Sequence, residues 1–189
     1  MKSKYLGKME KYDGSQLVSL RNYLEHGLLG DSIVAWEGAC DVSFAHMVDG
    51  EDLLQKARIA GDSMLHFIVE KFTISLFAAV GLQRLLAGIV KDQIQNACRN
   101  RALAQSMIRQ GDDLYCDTRK LSISIATQSP VSSLIHFAVN ITNDGTPVPT
   151  LSLHDLGIDQ KELAMAVMQV FCTEVVSIHE ATCKVRWVK

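Results

Sequence analysis

An α+β fold, with a mixed or antiparallel sheet and packed helices, is predicted by three features of this sequence. The elements run β, α, β, α, long α, β-meander, α, which does not alternate as a doubly wound parallel sheet would. The strongest helical periodicity covers residues 75–99, where Leu76, Ala79, Val80, Leu82, Leu86, Ile89, Val90, Gln93 and Ala97 hold one face. The stretch 105–141 then alternates or runs β-branched between turn residues, as consecutive antiparallel strands do.

Taken in order, residues 4–10 read as a short strand. Asp13-Gly14-Ser15 offers a turn and an N-cap for a helix over 16–25, which Gly27 and Gly30 end. Residues 32–36 (Ser-Ile-Val-Ala-Trp) form a buried strand between Gly30-Asp31 and Gly38. Residues 51–58 read as a short helix and 64–72 as a strand, with a helix as the alternative. After the long helix come 105–109, 114–116, 120–127 and 132–141. A last amphipathic helix spans 159–178, capped by Asp159, with Leu163, Val167, Val170, Phe171 and Val175 inward. Met165 and Met168 are read as packing.

The 189 residues, about half of them hydrophobic, suit a single domain over 1–189 with its own core. Lys and Arg number 19 against 21 Asp and Glu, a net charge of -2, so no basic excess exists to neutralise nucleic-acid phosphates. The five cysteines show no C-x-x-C spacing and read as reduced thiols of a cytoplasmic protein. The most apolar window, 72–90, carries Gln83 and Arg84, and no membrane association is expected.

The segment that carries chemistry is Asp112-Asp113-Leu114-Tyr115-Cys116-Asp117-Thr118-Arg119-Lys120-Leu121: a strand, a tight polar turn, and a lysine opening a second strand. A lysine there can project its ammonium into a cleft and hold a carboxylate or phosphate oxygen. Asp113 beside it would orient that ammonium; a turn-capping aspartate is the alternative. If Lys120 faces the cleft, strand parity sends Ser122 and Ser124 there too, opposite Leu121, Ile123 and Ile125.

This segment resembles the biotin protein ligases, which read Asn-Asp-Leu-Tyr, a short turn, then Lys-Leu or Lys-Ile. The resemblance implies a biotin/lipoate ligase catalytic-domain-like fold over roughly 75–178 and puts Lys120 at the reacting carboxylate and α-phosphate of an acyl-adenylate. Downstream, Ser132-Ser133-Leu134-Ile135-His136-Phe137-Ala138-Val139-Asn140-Ile141 is similar to the next strand of that superfamily. His136 and Asn140 match the octanoyltransferase His-Gly-x-Ala-Leu-Asn run, and Phe137 replaces its glycine. Residues 148–158 resemble the Thr-Ser-Leu-x-x-x-Gly-Ile linker. ATP is the cofactor that the resemblance implies, yet the Arg- and Gly-rich loop that folds over its phosphates is absent from the N-terminal half. Thr150 stands where octanoyltransferases carry their Pro-Cys-Gly cysteine, and Ile123 replaces a glycine three residues after the lysine.

A second polar cluster comprises Gly30-Asp31-Ser32, Gly38-Ala39-Cys40-Asp41-Val42 and Ala45-His46-Met47-Val48-Asp49-Gly50. With Tyr12-Asp13-Gly14-Ser15, Ser129-Pro130-Val131-Ser132 and Lys184-Val185-Arg186-Trp187-Val188, it resembles an uncharacterised prokaryotic domain-of-unknown-function family with the same fold and no established activity. His46, Asp49, Cys40 and Asp41 could share one pocket, with Cys40 a nucleophile activated by His46. The plainer alternative is a capping Asp49, a hydrogen-bonded His46 and an inert buried thiol, and no metal site is expected.

Together these features predict a protein that binds or transfers a small carboxylate or acyl group. The ligand would lie between the Lys120 strand and a segment carrying Asp31, Ser32, Cys40, Asp41, His46 and Asp49. The alternative is a non-catalytic ligand-binding or interaction module that lost the nucleotide loop. A homodimer through an exposed sheet edge is an option this fold offers.

Overall fold

The computed structural model describes residues 1–8 and 11–188. Its main sheet is mixed and five-stranded: β1 (Lys2–Lys8), β2 (Ser32–Val42), β3 (Ile59–Phe72), β8 (Ser132–Asn140) and β7 (Ser122–Gln128), in that spatial order. β1 runs parallel to β2 and every other pair is antiparallel. A second sheet joins β4 (Met107–Gln110), β5 (Asp113–Cys116) and β6 (Arg119–Lys120). The helices are α1 (Arg21–His26), α2 (Gly50–Gln55), α3 (Leu76–Ala97), α4 (Arg101–Ser106), α5 (Leu153–Leu156) and α6 (Gln160–Cys183).

Side-chain alternation divides the core in two. Ile33, Ala35, Leu65, Phe67, Val69, Ile135, Phe137 and Val139 point to one face, where α3 and α6 cover them. Val34, Trp36, Met64, Ile68 and Ala138 point to the other, which Tyr12, Leu28 and Val42 cover. A sheet covered on both faces explains why β8 is buried at every position.

α3 and α6 follow their predicted periodicity. Ser75 caps α3 through Ala78 N and Asp159 caps α6 through Glu162 N. Leu76 is nonetheless exposed and Gln83 buried, because the inner stripe of α3 starts at Ala79 and includes Gln83. By length and composition α6 would suffice to cross a membrane; its buried stripe of Leu163, Val167, Phe171 and Val175 accounts for part of that apolarity.

Several predicted boundaries move. The first strand starts at Lys2, and the predicted end of that strand, at Met9 and Glu10, lies outside the described residues. The predicted helix over 16–25 reduces to α1, because Asp13 holds the N–H and hydroxyl of Ser15 in a turn and Gln16 bonds back to Lys11 O. Leu20 enters α1 in the left-handed region (φ 66), with its N–H donated to the buried Glu70 carboxylate at 2.7 Å. β2 runs past Gly38 to Val42 through a register shift between Gly38 and Cys40. β3 extends back to Ile59 through Gly61-Asp62. The predicted strand over 105–109 begins as α4, capped by Asn100 through Leu103 N.

The second face carries an unusual polar feature. His66 and His136, both buried, are linked Nδ1 to Nε2 at 3.1 Å, and His66 Nε2 lies 3.2 Å from Gly38 O. A carbonyl only accepts, so Nε2 of His66 carries its proton and Nδ1 accepts from His136 Nε2–H. Tyr12 stacks on His136 at 3.8 Å and Trp36 on His66 at 5.0 Å. Burial pushes His66 down to about 4 and His136 well below its ordinary value, so both are neutral near pH 7.

An unfolded histidine titrates near 6.5, so above that pH both states hold these rings neutral and their contribution to stability is complete. Below it the unfolded chain takes up protons first. Stability is therefore expected to fall between pH 6.5 and about 4, by up to about 1.4 kcal/mol per pH unit for His66 alone. Urea midpoints measured downward from neutral pH test this; a midpoint that stays level through the window contradicts it.

Candidate functional site

The predicted strand over 120–127 is two strands in two sheets, and this division builds the site. Lys120 pairs with Tyr115 in the small sheet, while Ser122 pairs with Val139 in the main one. Leu121 passes the chain across: its N–H donates to Leu114 O at 2.8 Å and its carbonyl accepts from Asn140 N at 3.0 Å. On the other side, Lys120 N–H donates to Pro149 O and Lys120 O accepts from Leu151 N. Asn140 closes the frame, its Nδ2 donating to Lys120 O and Leu151 O, both at 3.2 Å. The backbone of Lys120 is thus held from both sides.

Its side chain enters a cavity of about 420 Å³ between the small sheet, β3, β7, the 146–150 turn and α2. Lys120 Nζ lies 2.8 Å from Asp113 Oδ2, both partly exposed to the cavity. Tyr115 donates its hydroxyl to that same oxygen at 3.3 Å. Next to them Asp112 forms an ion pair with Arg84 and accepts from Gln83 Nε2 at 2.7 Å. Burial raises the Asp112 carboxyl above its usual range, with Arg84 opposing. Asp52, across the cavity on α2, is also raised, first by burial and then by Asp49.

Of the residues singled out in sequence, Lys120, Asp113, Ser122, Ser124, Asn140 and Asp49 line this cavity. The serine hydroxyls are committed to the protein: Ser122 accepts from Leu114 N, while Ser124 donates to His136 O and accepts from Gln83. In register these serines lie beside Val139 and Phe137, on the α3 side of β7. His46 and His136 line an adjoining recess of about 50 Å³ floored by Tyr12, Ile59 and Ile123. There His46 Nδ1 approaches Asp13 O at 3.2 Å, and Asp49 caps α2 through the N–H groups of Glu51 and Asp52.

The remaining candidates do not join the site. Asp31 accepts from Phe72 N and pairs with Lys71 at 2.6 Å, and Phe72 is eight residues, roughly 26 Å, along β3 from the cavity residue Met64. Ser32 is buried at that same end, accepting from Asn22. Asp41 is on the surface between Lys11 and Arg58, with its carboxyl held low chiefly by Lys11. Cys40 sits in the second core beside Tyr12, where burial pushes its thiol up to about 12. Such a thiol is no nucleophile near neutral pH. No group of three or more His, Cys, Asp or Glu among the described residues is arranged to hold a metal ion.

Sequence reasoning missed Asp112, Gln83, Arg84, Glu51 and Asp52. The acidic run Asp49-Gly50-Glu51-Asp52 was readable as a charge pattern, but nothing local connects it to a lysine some seventy positions away. Arg84 and Asp112 are likewise joined only by the fold.

A sequence profile described as a domain of unknown function, DUF366, matches residues 1–186. The chain belongs to the DUF366 family. An uncharacterized protein of Methanocaldococcus jannaschii is 31% identical over 160 residues, covering 82% of this chain and 70% of the relative. A solved structure, a protein of unknown function from Pyrococcus horikoshi, superposes with a TM-score of 0.89 at 37% identity. The match covers 99% of this chain and 100% of that one. The fold is also that of the biotin and lipoate ligases. The biotin protein ligase of Aquifex aeolicus in complex with biotin and ATP matches with a TM-score of 0.63 at 12% identity, over 93% of this chain and 72% of that one. LipL1 of P. falciparum in complex with lipoate matches at 0.58 and 12% identity, over 98% and 63%.

The burial of the thiols makes a direct test of the Cys40 assignment. Titration of the native protein with a disulfide reagent is expected to label exposed Cys183 first and Cys172 more slowly. Cys40, Cys98 and Cys116 should react only on unfolding. Native labelling of Cys40 at the Cys183 rate would restore it as a candidate nucleophile.

Proposed function

We propose that this DUF366 protein binds a small carboxylate or acyl ligand in the cavity at Lys120 and acts on it as a ligase- or acyltransferase-like protein. The observation that carries the reading is the Lys120 ammonium at a cavity wall, 2.8 Å from Asp113, on a backbone held from both sides. A compact ammonium oriented by a carboxylate can hand one of its three N–H groups to an oxygen of the ligand. Asp113 orients it, and Asp112 with Arg84 and Gln83 steadies the turn behind. The relatives solved with biotin or lipoate support the reading, since both compounds are carboxylic acids.

A specific observation favours a second reading, a ligand-binding module without adenylation. Where a nucleotide-using enzyme needs positive charge near the phosphates, α2 contributes Asp49, Glu51 and Asp52 to the cavity. ATP is therefore proposed as a cofactor only if exchange chemistry is observed.

Pyrophosphate exchange with ATP and a panel of carboxylic acids, run beside thermal-shift binding, separates these readings. Lys120→Ala is expected to weaken carboxylate binding by roughly tenfold to a hundredfold, the scale of a hydrogen bond to a charged group. Exposed Lys161→Ala should leave it unchanged. Exchange lost with Lys120→Ala identifies a ligase; binding without exchange identifies the module. Carboxylate binding indifferent to Lys120→Ala rejects the role of Lys120 in both.

A further inference from the structure

α1 and its N-cap Leu20 face the opposite way from a helix packed on its own core. Leu20, Tyr23 and Leu24 hold the i, i+3, i+4 spacing of one apolar stripe, which in a surface helix turns inward. Here all three are exposed, Leu24 to 75%, while Arg21 and Asn22 between them are buried. Arg21 Nη1, Asn22 Oδ1 and His26 Nε2 are buried without a hydrogen-bond partner among the described residues. Leu20 is held in left-handed backbone (φ 66), which a leucine rarely adopts, by its N–H bond to Glu70. One short segment thus carries unpaired polar atoms on its inner side and apolar surface on its outer side, and both are unfavourable in the single chain.

The stripe is part of a larger surface. Glu70 Oε1 accepts from both Leu20 N and Ser132 Oγ at 2.7 Å, which sets Val131, 56% exposed, beside the stripe. Ile74 O accepts from Ser133 Oγ at 3.3 Å and from Gln128 Nε2 at 3.2 Å, so the first turn of α3 follows on, with Leu76 and Phe77 exposed, Phe77 to 89%. These residues lie across strand ends of the main sheet, not along its edge. Together they expose apolar area on the order of several hundred Å², the scale of the roughly 800 Å² that one partner gives to a standard interface.

Charge favours a second copy as the occupant. α1 carries one cation and one anion, Arg21 and Glu25, and they pair with each other at 2.9 Å. His26 is held below its ordinary value by burial and by Arg21, so it is neutral near pH 7. At the border, Asp31 pairs with Lys71 at 2.6 Å. A surface whose own charges are already matched meets its copy without like-charge repulsion, and an apolar stripe is complementary to itself about a two-fold axis. We propose that this chain forms a two-fold symmetric homodimer in which α1 packs on α1 of a second copy through Leu20, Tyr23 and Leu24, with Val131, Leu76 and Phe77 around them. Glu70 is six residues, roughly 20 Å, along β3 from the cavity residue Met64, so the dimer leaves both cavities open. The dimer does not depend on what the cavity binds.

Sedimentation equilibrium of the full chain tests it, with an expected mass of twice 20.9 kDa. Leu24→Glu, at a position too exposed to disturb the core, should return the mass to that of one chain with an unchanged circular dichroism spectrum. Phe77→Glu, on a different helix, should do the same and decides the matter if Leu24→Glu fails to fold. Leu54→Glu, at an 87% exposed position on α2, should leave the dimer intact. A single-chain mass at every concentration overturns the dimer, and co-sedimentation of that monomer with phosphatidylcholine vesicles assigns the surface to lipid instead. A dimer that survives both Leu24→Glu and Phe77→Glu overturns this surface as its interface.

Discussion

Asn140 is the residue on which the geometry of the site depends. Its backbone N–H reaches Leu121 O, and its side chain reaches Lys120 O and Leu151 O. Three segments far apart in sequence, the end of β8, the crossing at 120–121 and the strand-like turn at 149–151, meet on this one buried amide. Buried amides in such positions are either fully paired or costly, so the arrangement is rigid where it is paired. The ammonium of Lys120 inherits that rigidity from its own backbone.

The crossing works because the main sheet is covered on both faces. α3 and α6 close one side with Phe67, Phe137 and Phe171 at the centre, so the strands cannot slide without exposing them. The other side is closed by a smaller layer around Tyr12, Trp36 and the neutral His66–His136 pair. That layer ends where the cavity begins, which is why His136 and Tyr12 appear in its recess. Stability on this face and the shape of the recess are therefore set by the same side chains.

The electrostatics of the cavity is then set by this chain's own side chains, not by its fold. A biotin-ligase-like scaffold is shared at 12% identity, which says nothing about the charges of the cavity. Here the segment between β2 and β3 carries Asp49, Glu51 and Asp52 to the site together with Arg58, which pairs with Asp41. A lysine stands on one wall of the cavity and the acids of the α2 segment on the other.

Much of this was legible in the residues themselves. Period-3.6 patterns set α3 and α6, alternating or β-branched runs between turn residues indicated the antiparallel strands, and the Asp113-Leu114-Tyr115 to Lys120 segment resembled a known pocket motif closely enough to indicate the fold. Capping by Asp159 followed from the side chain alone, as local hydrogen bonds do. Only the tertiary structure decided that 120–127 is two strands in two sheets, that the helix expected at 16 starts at Arg21, and that Asp31 and Ser32 sit at the far end of β3. It also decided that Cys40 is a core thiol and that Arg84 meets Asp112. Local periodicity records which face of an element is apolar, and that is a property of neighbouring residues. Where a chain changes sheets, which charges meet across a cavity, and which polar groups lose their water depend on packing between distant segments, and no short stretch of sequence contains that information.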